Sequence, residues 1–233
     1  MASGVGITVA IDGPAAAGKS TCSKALAKRL GYMLVDTGAL YRSIALTAIR
    51  KGIAHDAEDA LGEIANGLDV RFDFDGDVNK TFLAGEDVSS AIRTPEISDM
   101  SSKISSWPKV RSGLLELQRT LASKPPGAVL EGRDIGTVVL PNASAKFFLT
   151  ASIEVRAKRR HDELVAKHGK EGAGDFEAVL EAEKERDRRD TTRATAPLVQ
   201  APDAMLLDSS ELAIDVIVEK MIERVKAAAA EAK

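Results

Sequence analysis

The chain has 233 residues, 44% hydrophobic and 29% charged, with 35 acidic against 32 basic side chains, a net charge of −3 and one cysteine. That length suits one domain with an insertion; the acidic balance and 4% aromatic content argue against a nucleic-acid partner, and no apolar run approaches the roughly 18 residues of a membrane span. One cysteine excludes an intramolecular disulfide, and with no signal-peptide apolar region the expected location is cytoplasmic.

A strand is expected over 7–11 (Ile7-Thr8-Val9-Ala10-Ile11), followed by Gly13-Pro14-Ala15-Ala16-Ala17-Gly18-Lys19-Ser20. This run fits GxxxxGK[ST] at every fixed position and lies between a strand and a helical pattern, the setting a phosphate-binding loop requires. Gly13 and Gly18 let successive backbone N–H groups turn inward on phosphate oxygens, and the following helix adds the positive end of its dipole. Lys19 would reach the β- and γ-phosphates of a nucleoside triphosphate, and the Ser20 hydroxyl would ligate Mg²⁺. The helix runs from 19 to about 30, with Gly31 as its C-cap. Cys22 falls among Ala25, Leu26 and Leu30 at helical spacing and reads as a small buried apolar residue.

Met33-Leu34-Val35 reads as a second strand that enters Asp36-Thr37-Gly38 and a helix carrying Ala39, Leu40, Ile44, Leu46 and Ala48. Asp36 has two readings, a contact to the Mg²⁺ shell or a cap on that helix. The βαβα alternation signals an α/β fold with a parallel sheet. Near residue 68 the period changes: Val70, Phe72 and Phe74 alternate with Arg71 and Asp73 ahead of the turn Asp75-Gly76-Asp77, so 66–100 reads as a small antiparallel insertion. A helix over 110–122 returns to the core, Pro125-Pro126-Gly127 ends it, and strands follow at Ala128-Val129-Leu130 and Lys146–Thr150. From Ser152 to His168 the pattern is helical and charge-rich, Gly169 and Gly172-Ala173-Gly174 interrupt it, and Asp175 caps a second helix running to about Arg193. Two helices joined by a glycine-rich loop suit a mobile lid. Met205-Leu206-Leu207 supplies a last strand and 211–230 a last helix.

An anionic phosphate acceptor needs arginines of its own, because guanidinium forks bind phosphate bidentately. Arg42, Arg133 and the run from Glu185 to Arg193 offer them. At about 100° per residue, Arg186, Arg189, Asp190 and Arg193 share one helix face while Arg188 points away. That face is either an anion and sugar site or a solvated charged surface with pairs such as Arg186–Asp190. Arg156 and Arg160, four residues apart, share a face that would clamp transferring phosphoryl groups; Arg159 reads as surface.

Five segments carry a specific resemblance: IDGPAAAGKST (11–21), LVDTGALYR (34–42), GEDVSSAIRTPEIS (85–98), EGRDIGTVVLP (131–141) and ERDRRDTTRATAPL (185–198). In order and over almost the whole chain, they resemble the bacterial cytidylate kinase family. The resemblance implies a P-loop NTPase-type three-layer α/β fold with a central parallel sheet: core 1–65, 101–150 and 194–233, monophosphate-binding insertion 66–100, and lid with flanking helices 151–193. It implies a monomer that uses ATP and Mg²⁺ to phosphorylate CMP and dCMP, with the donor held by residues 13–21, Thr21 included. It places Thr37, Arg111 and Asp134 on cytosine, Arg42, Arg133 and Arg193 on the monophosphate, and Ser102, Arg186 and Asp190 around the sugar. Lys19, Arg133, Arg156, Arg160, Arg186 and Arg193 would stabilise the transferring group.

Two positions depart from the family pattern. Thr37 replaces a frequent serine and keeps its hydroxyl; Ala16 replaces a frequent glycine, which narrows conformational choice without removing a required group. The chemistry of Asp134 agrees with the resemblance, since a carboxylate accepts from the cytosine N4 amine whereas uracil presents an O4 acceptor. The residues alone also allow Asp134 an ion pair with Arg133 or another arginine. Competing readings are a related kinase acting on UMP, AMP or a small acid, and a non-transferring nucleotide switch, which would need an effector surface or the guanine-reading NKxD motif, and this chain has no NKxD.

Overall fold

A computed structural model describes residues 6–231. Residues 1–5, 232 and 233, at the ends of the expected core, lie outside the described residues. β1 (Ile7–Asp12) leads through the phosphate loop into α1 (Lys19–Leu30), and β2 (Met33–Asp36) leads directly into α2 (Thr37–Arg50). A short α3 (Glu58–Asn66) precedes a three-stranded meander of β3 (Val70–Phe74), β4 (Asn79–Leu83) and β5 (Glu86–Asp87). The chain continues through α4 (Pro95–Ile104), α5 (Pro108–Ala122), β6 (Gly127–Gly132), a wide turn at Ile135–Val139 and β7 (Ala145–Thr150). It ends with α6 (Ile153–Ala173), α7 (Phe176–Thr192), β8 (Met205–Asp208) and α8 (Ile214–Glu231).

The main sheet is parallel, in the order β2-β6-β1-β7-β8. Its strands alternate faces with period two. Val9, Ile11, Leu34 and Val129 pack with Leu26 of α1 and Ile217, Val218 and Met221 of α8. Ala10, Val35, Ala128 and Leu130 pack on the other face with Leu40 and Ile44 of α2 and Leu114 of α5. Helices on both faces of a parallel sheet make the expected three-layer α/β architecture.

The antiparallel sheet forms where the alternating pattern placed it, with Val70 opposite Leu83 and Phe72 opposite Thr81. It spans only 70–87, however. Residues 95–104 are helical because the Thr94 hydroxyl accepts from the Ile97 amide at 3.3 Å and Pro95 occupies the first turn, so residue 100 falls inside α4. Val70, Phe72, Val88 and Ile92 share one cluster with Val35 and Leu40, so the insertion packs onto the core of the main sheet. Beyond the insertion, Ser152 and Asp175 cap α6 and α7 by accepting from the amides of Val155 and Ala178. Gly169, at φ 74° and ψ 172°, breaks the helical path of α6, a conformation glycine adopts without a Cβ penalty.

Candidate active site

The chain leaves β1 toward β2 on one side, while β7 lies on the other, so strand order reverses at β1. Open α/β sheets place ligands at such a switch point, beyond the strand carboxyl ends. Asp36, Glu131 and Gly132 stand at those ends and line a cavity of about 580 Å³, and Asp12 ends β1 without lining it.

Gly13 has φ 149°, and a Cβ there would lie 1.9 Å from the Leu149 carbonyl oxygen. Only glycine lets the loop approach β7 so closely. Ala16 corrects the sequence reading: it sits at φ 55°, in the left-handed region, where an L-residue costs roughly 1–2 kcal/mol. Ala15, Ala16, Gly18, Lys19, Ser20 and Thr21 line the cavity; Gly13, Pro14 and Ala17 lie behind them. The Lys19 ammonium donates to the Pro14 carbonyl at 2.6 Å. Burial, and next the nearby Arg133, push its pKa well below the usual lysine range.

Ser20 Oγ donates to Glu131 Oε2 at 3.0 Å, and the Glu131 main-chain carbonyl accepts from Thr37 Oγ1 at 2.7 Å. Burial, reinforced by the charge of Asp36, pushes the Glu131 carboxyl up to about 7. Asp36 performs the cap of its two readings, accepting from the Ala39 amide at 3.1 Å, and also pairs with Arg42 at 2.7 Å. Among the described residues no cluster of three or more His, Cys, Asp or Glu side chains could hold a metal alone. A serine hydroxyl beside one buried carboxylate, with a second carboxylate near it, nevertheless fits Mg²⁺, which keeps several waters and binds through one or two carboxylates plus phosphate oxygens.

Across the cavity from the loop stand Thr37, Arg42, Ser102, Arg133, Asp134, Arg160, Arg186, Asp190 and Arg193. Five elements far apart in sequence deliver them: the start of α2, α4, the end of β6, α6 and the last turns of α7. Arg42 Nε, Arg186 Nε, Arg193 Nη2 and Ser102 Oγ are buried with no hydrogen-bond partner among the described residues. Burial, then Arg133, push the Arg186 guanidinium down to about 10. Buried cationic donors left unpaired are costly, so this wall is built for an anion.

Carboxylates tie the remaining cations. Arg133 Nε donates to Asp190 Oδ2 at 2.8 Å, so Asp190 pairs with Arg133 rather than with Arg186. Asp134 adopts its ion-pair reading in this structure, with Arg111 as its close partner and Arg193 at 3.7 Å. Arg111 sits behind Asp134, outside the cavity lining, and donates to the Ser105 carbonyl at 3.0 Å. Arg189 departs from the face expected for it and turns to Asp99, while Arg188 pairs with Glu185 at the surface.

On α6 the expected roles redistribute. Arg156 does not line the cavity; its guanidinium grips Asp187 of α7 at 2.6 and 3.1 Å and reaches the Ala15 carbonyl at 3.4 Å. Arg159 is no surface residue. It lines the cavity and donates to Ser209 Oγ and O at 3.0 and 2.6 Å, because one helical turn carries it over the loop end of β8. Arg160 lines the cavity while paired with Glu163 at 2.9 Å. Glu131 was missed outright, although the reasoning applied to Asp134, a carboxylate ending a buried strand, identifies it equally well. Cys22 is buried as expected, and burial pushes its thiol up to about 11.

The strand order, the phosphate loop at the central strand and the arginine-walled cavity define a P-loop NTPase-type α/β protein. A crystal structure of an uncharacterized protein from Eubacterium ventriosum shares the fold, with a TM-score of 0.51 at 13% identity over 95% of this chain and 99% of that one. The chain belongs to the cytidylate kinase family, whose model matches residues 9–227. It is 48% identical to the cytidylate kinase of Geobacter sp. (strain M21), over 95% of this chain and 93% of that protein. It is 46% identical to that of Mycobacterium avium (strain 104), over 94% and 95% respectively.

Proposed function

We propose that the protein transfers the γ-phosphoryl group of ATP to the 5′-phosphate of CMP and dCMP. The observation that carries this reading is the facing arrangement: a phosphate loop on one wall and buried, unpartnered arginine nitrogens on the other. Family membership favours cytosine monophosphates over the other acceptors such walls would accept. A phosphate oxygen of the monophosphate bonds to the γ-phosphorus as the bond to the β–γ bridging oxygen breaks, and ADP departs. The attacking oxygen is already anionic, so no general base is required.

Catalysis is then positioning and charge neutralisation. Lys19 moves its ammonium from the Pro14 carbonyl to the β- and γ-phosphates. Arg42, Arg133 and Arg193 hold the acceptor phosphate, and Arg186, with Arg160 from α6, offsets charge on the transferring group. Ser20 and Glu131 would hold Mg²⁺, which supplies charge neutralisation of the polyphosphate when bound. Thr37 gives its hydroxyl hydrogen to Glu131 and keeps its lone pairs for the cytosine amine, beside Asp134. Ser102 and Asp190 serve the sugar, and Arg111 acts on the base through Asp134. In this reading 66–100 is the acceptor-binding insertion, 151–193 the lid that excludes water, and the protein a cytoplasmic monomer.

A coupled assay with ATP·Mg²⁺ and CMP, dCMP, UMP or AMP tests the reading. Turnover should be fastest with CMP and dCMP. Equal rates with UMP or AMP, or no ADP with any monophosphate, would refute it.

A further inference from the structure

The wide turn at Ile135–Val139 begins immediately after Asp134. An aspartate in that place ordinarily accepts from the first free amides of its own helical turn. Asp134, at φ −146° and ψ 24°, makes no such bond. The first two amides of the turn, Gly136 among those an N-cap side chain would take, go instead to a residue more than 120 positions earlier: Asp12 Oδ1 accepts from the Ile135 amide at 2.8 Å and Oδ2 from the Gly136 amide at 2.7 Å. Asp12 is 4% exposed, and both its oxygens are engaged in this way. At the far end of the segment, Lys146 Nζ donates to the Pro141 carbonyl at 2.6 Å.

We propose that Asp12 is a positioning residue for base discrimination: by capping the 135–139 turn in place of Asp134, it leaves the Asp134 carboxylate free to face the acceptor cavity. This inference rests on the acceptor reading above. With Asp12 present, the Asp134 carbonyl starts the turn by accepting from the amides of Val138 and Val139, while its side chain meets Arg111 and Arg193. Without Asp12, two buried amides lose their acceptor, and Asp134, at the N-cap of the same turn, is the carboxylate placed to take up the Gly136 amide. Burial raises the Asp12 pKa and the two amides lower it, consistent with a carboxylate that owes its charge to this contact. Because Asp12 is also the last residue of β1 before Gly13, one side chain joins the donor loop to the base-reading turn.

The test is Asp12→Asn, which keeps one acceptor oxygen and replaces the other with an NH2 group that cannot accept from the second amide. Steady-state kcat/KM for CMP and for UMP, with ATP·Mg²⁺ affinity measured separately, are compared for wild type, Asp12→Asn, Asp134→Asn and the double variant. The CMP/UMP ratio should fall about tenfold to a hundredfold in Asp12→Asn while ATP affinity changes little. The double variant should discriminate no worse than Asp134→Asn alone, since the two residues act as one unit. An unchanged ratio with kcat reduced equally for both acceptors, or additive losses in the double variant, overturns the proposal. Wild type that never prefers CMP removes the acceptor reading itself. If Asp12→Asn does not fold, amide hydrogen exchange on the wild type decides. CMP at saturation should slow exchange at Ile135 and Gly136 more than UMP does, and equal slowing overturns the proposal.

Discussion

Arg186 is a residue the fold holds against its own stability. Its guanidinium is pushed down to about 10 by burial and by Arg133, and its Nε has no hydrogen-bond partner among the described residues. Measured against the ordinary arginine range, that lowering corresponds to at most about 3 kcal/mol. The side chain is half-buried and faces an open cavity, so screening reduces this to about 1–2 kcal/mol. Arg186→Met keeps the aliphatic stem and removes the charge. We predict that, without nucleotide or phosphate in the buffer, this variant melts about 3–6 °C higher than wild type, at about 2–4 °C per kcal/mol for a domain of this size. In the coupled assay kcat/KM for CMP should fall about 10²–10³-fold, the usual effect of losing a charged donor at a transition state. Inorganic phosphate should raise the wild-type melting temperature more than the variant's. A variant that is no more stable than wild type, or one that keeps full activity, would refute the reasoning.

Lys19→Ala should abolish detectable transfer in the coupled assay while far-ultraviolet circular dichroism stays unchanged, because among the described residues Nζ hydrogen-bonds only the Pro14 carbonyl. Asp134→Ala should erode the preference for CMP over UMP by about 1–3 kcal/mol, read as the ratio of kcat/KM values, and an unchanged ratio would remove Asp134 from base recognition. Asp12 makes stability pH-dependent. Burial pushes its carboxyl up to about 6, with Asp134 adding to the rise and the Gly136 and Ile135 amides and Lys19 opposing it, so the folded state takes up this proton before the unfolded chain does. The associated stability is lost as pH rises through 6, so wild type should gain about 1 kcal/mol on Asp12→Asn between about pH 7.5 and pH 5 in urea unfolding. A constant difference across that range would contradict the assigned environment.

What the sequence made legible was what is local in it. The phosphate loop, the strands at 7–11, 33–35 and 128–130, and the caps at Gly31 and Asp175 each depend on a few consecutive residues, and each formed. The antiparallel meander was visible in the alternation of Val70, Phe72 and Phe74. α3 escaped notice because Leu61 and Ala65 are its only fully buried apolar side chains, with Gly62 between them packed against Lys109. The candidate site was legible as a list of residue types but not as pairings. Nothing near Arg133 announces that its partner is Asp190, nor does anything near Ile135 point back to Asp12, since such contacts exist only after the sheet has formed. Arg156 and Arg159 were misread for the same reason: helical spacing gave their relative angle on α6 but not which of them overhangs the phosphate loop.

The grip of Arg156 on Asp187 has a mechanical consequence. It binds the two lid helices to each other close to their base and touches the phosphate loop through the Ala15 carbonyl. From Arg156 to the break at Gly169 is about 20 Å of helix at 1.5 Å per residue. A rotation of about 15° about that fulcrum sweeps the glycine tip through about 5 Å, whereas atoms beside Ala15 shift by a fraction of an ångström. In the proposed lid reading the two helices would then be geared, a small displacement at the loop becoming a stroke of several ångströms at the glycine tip.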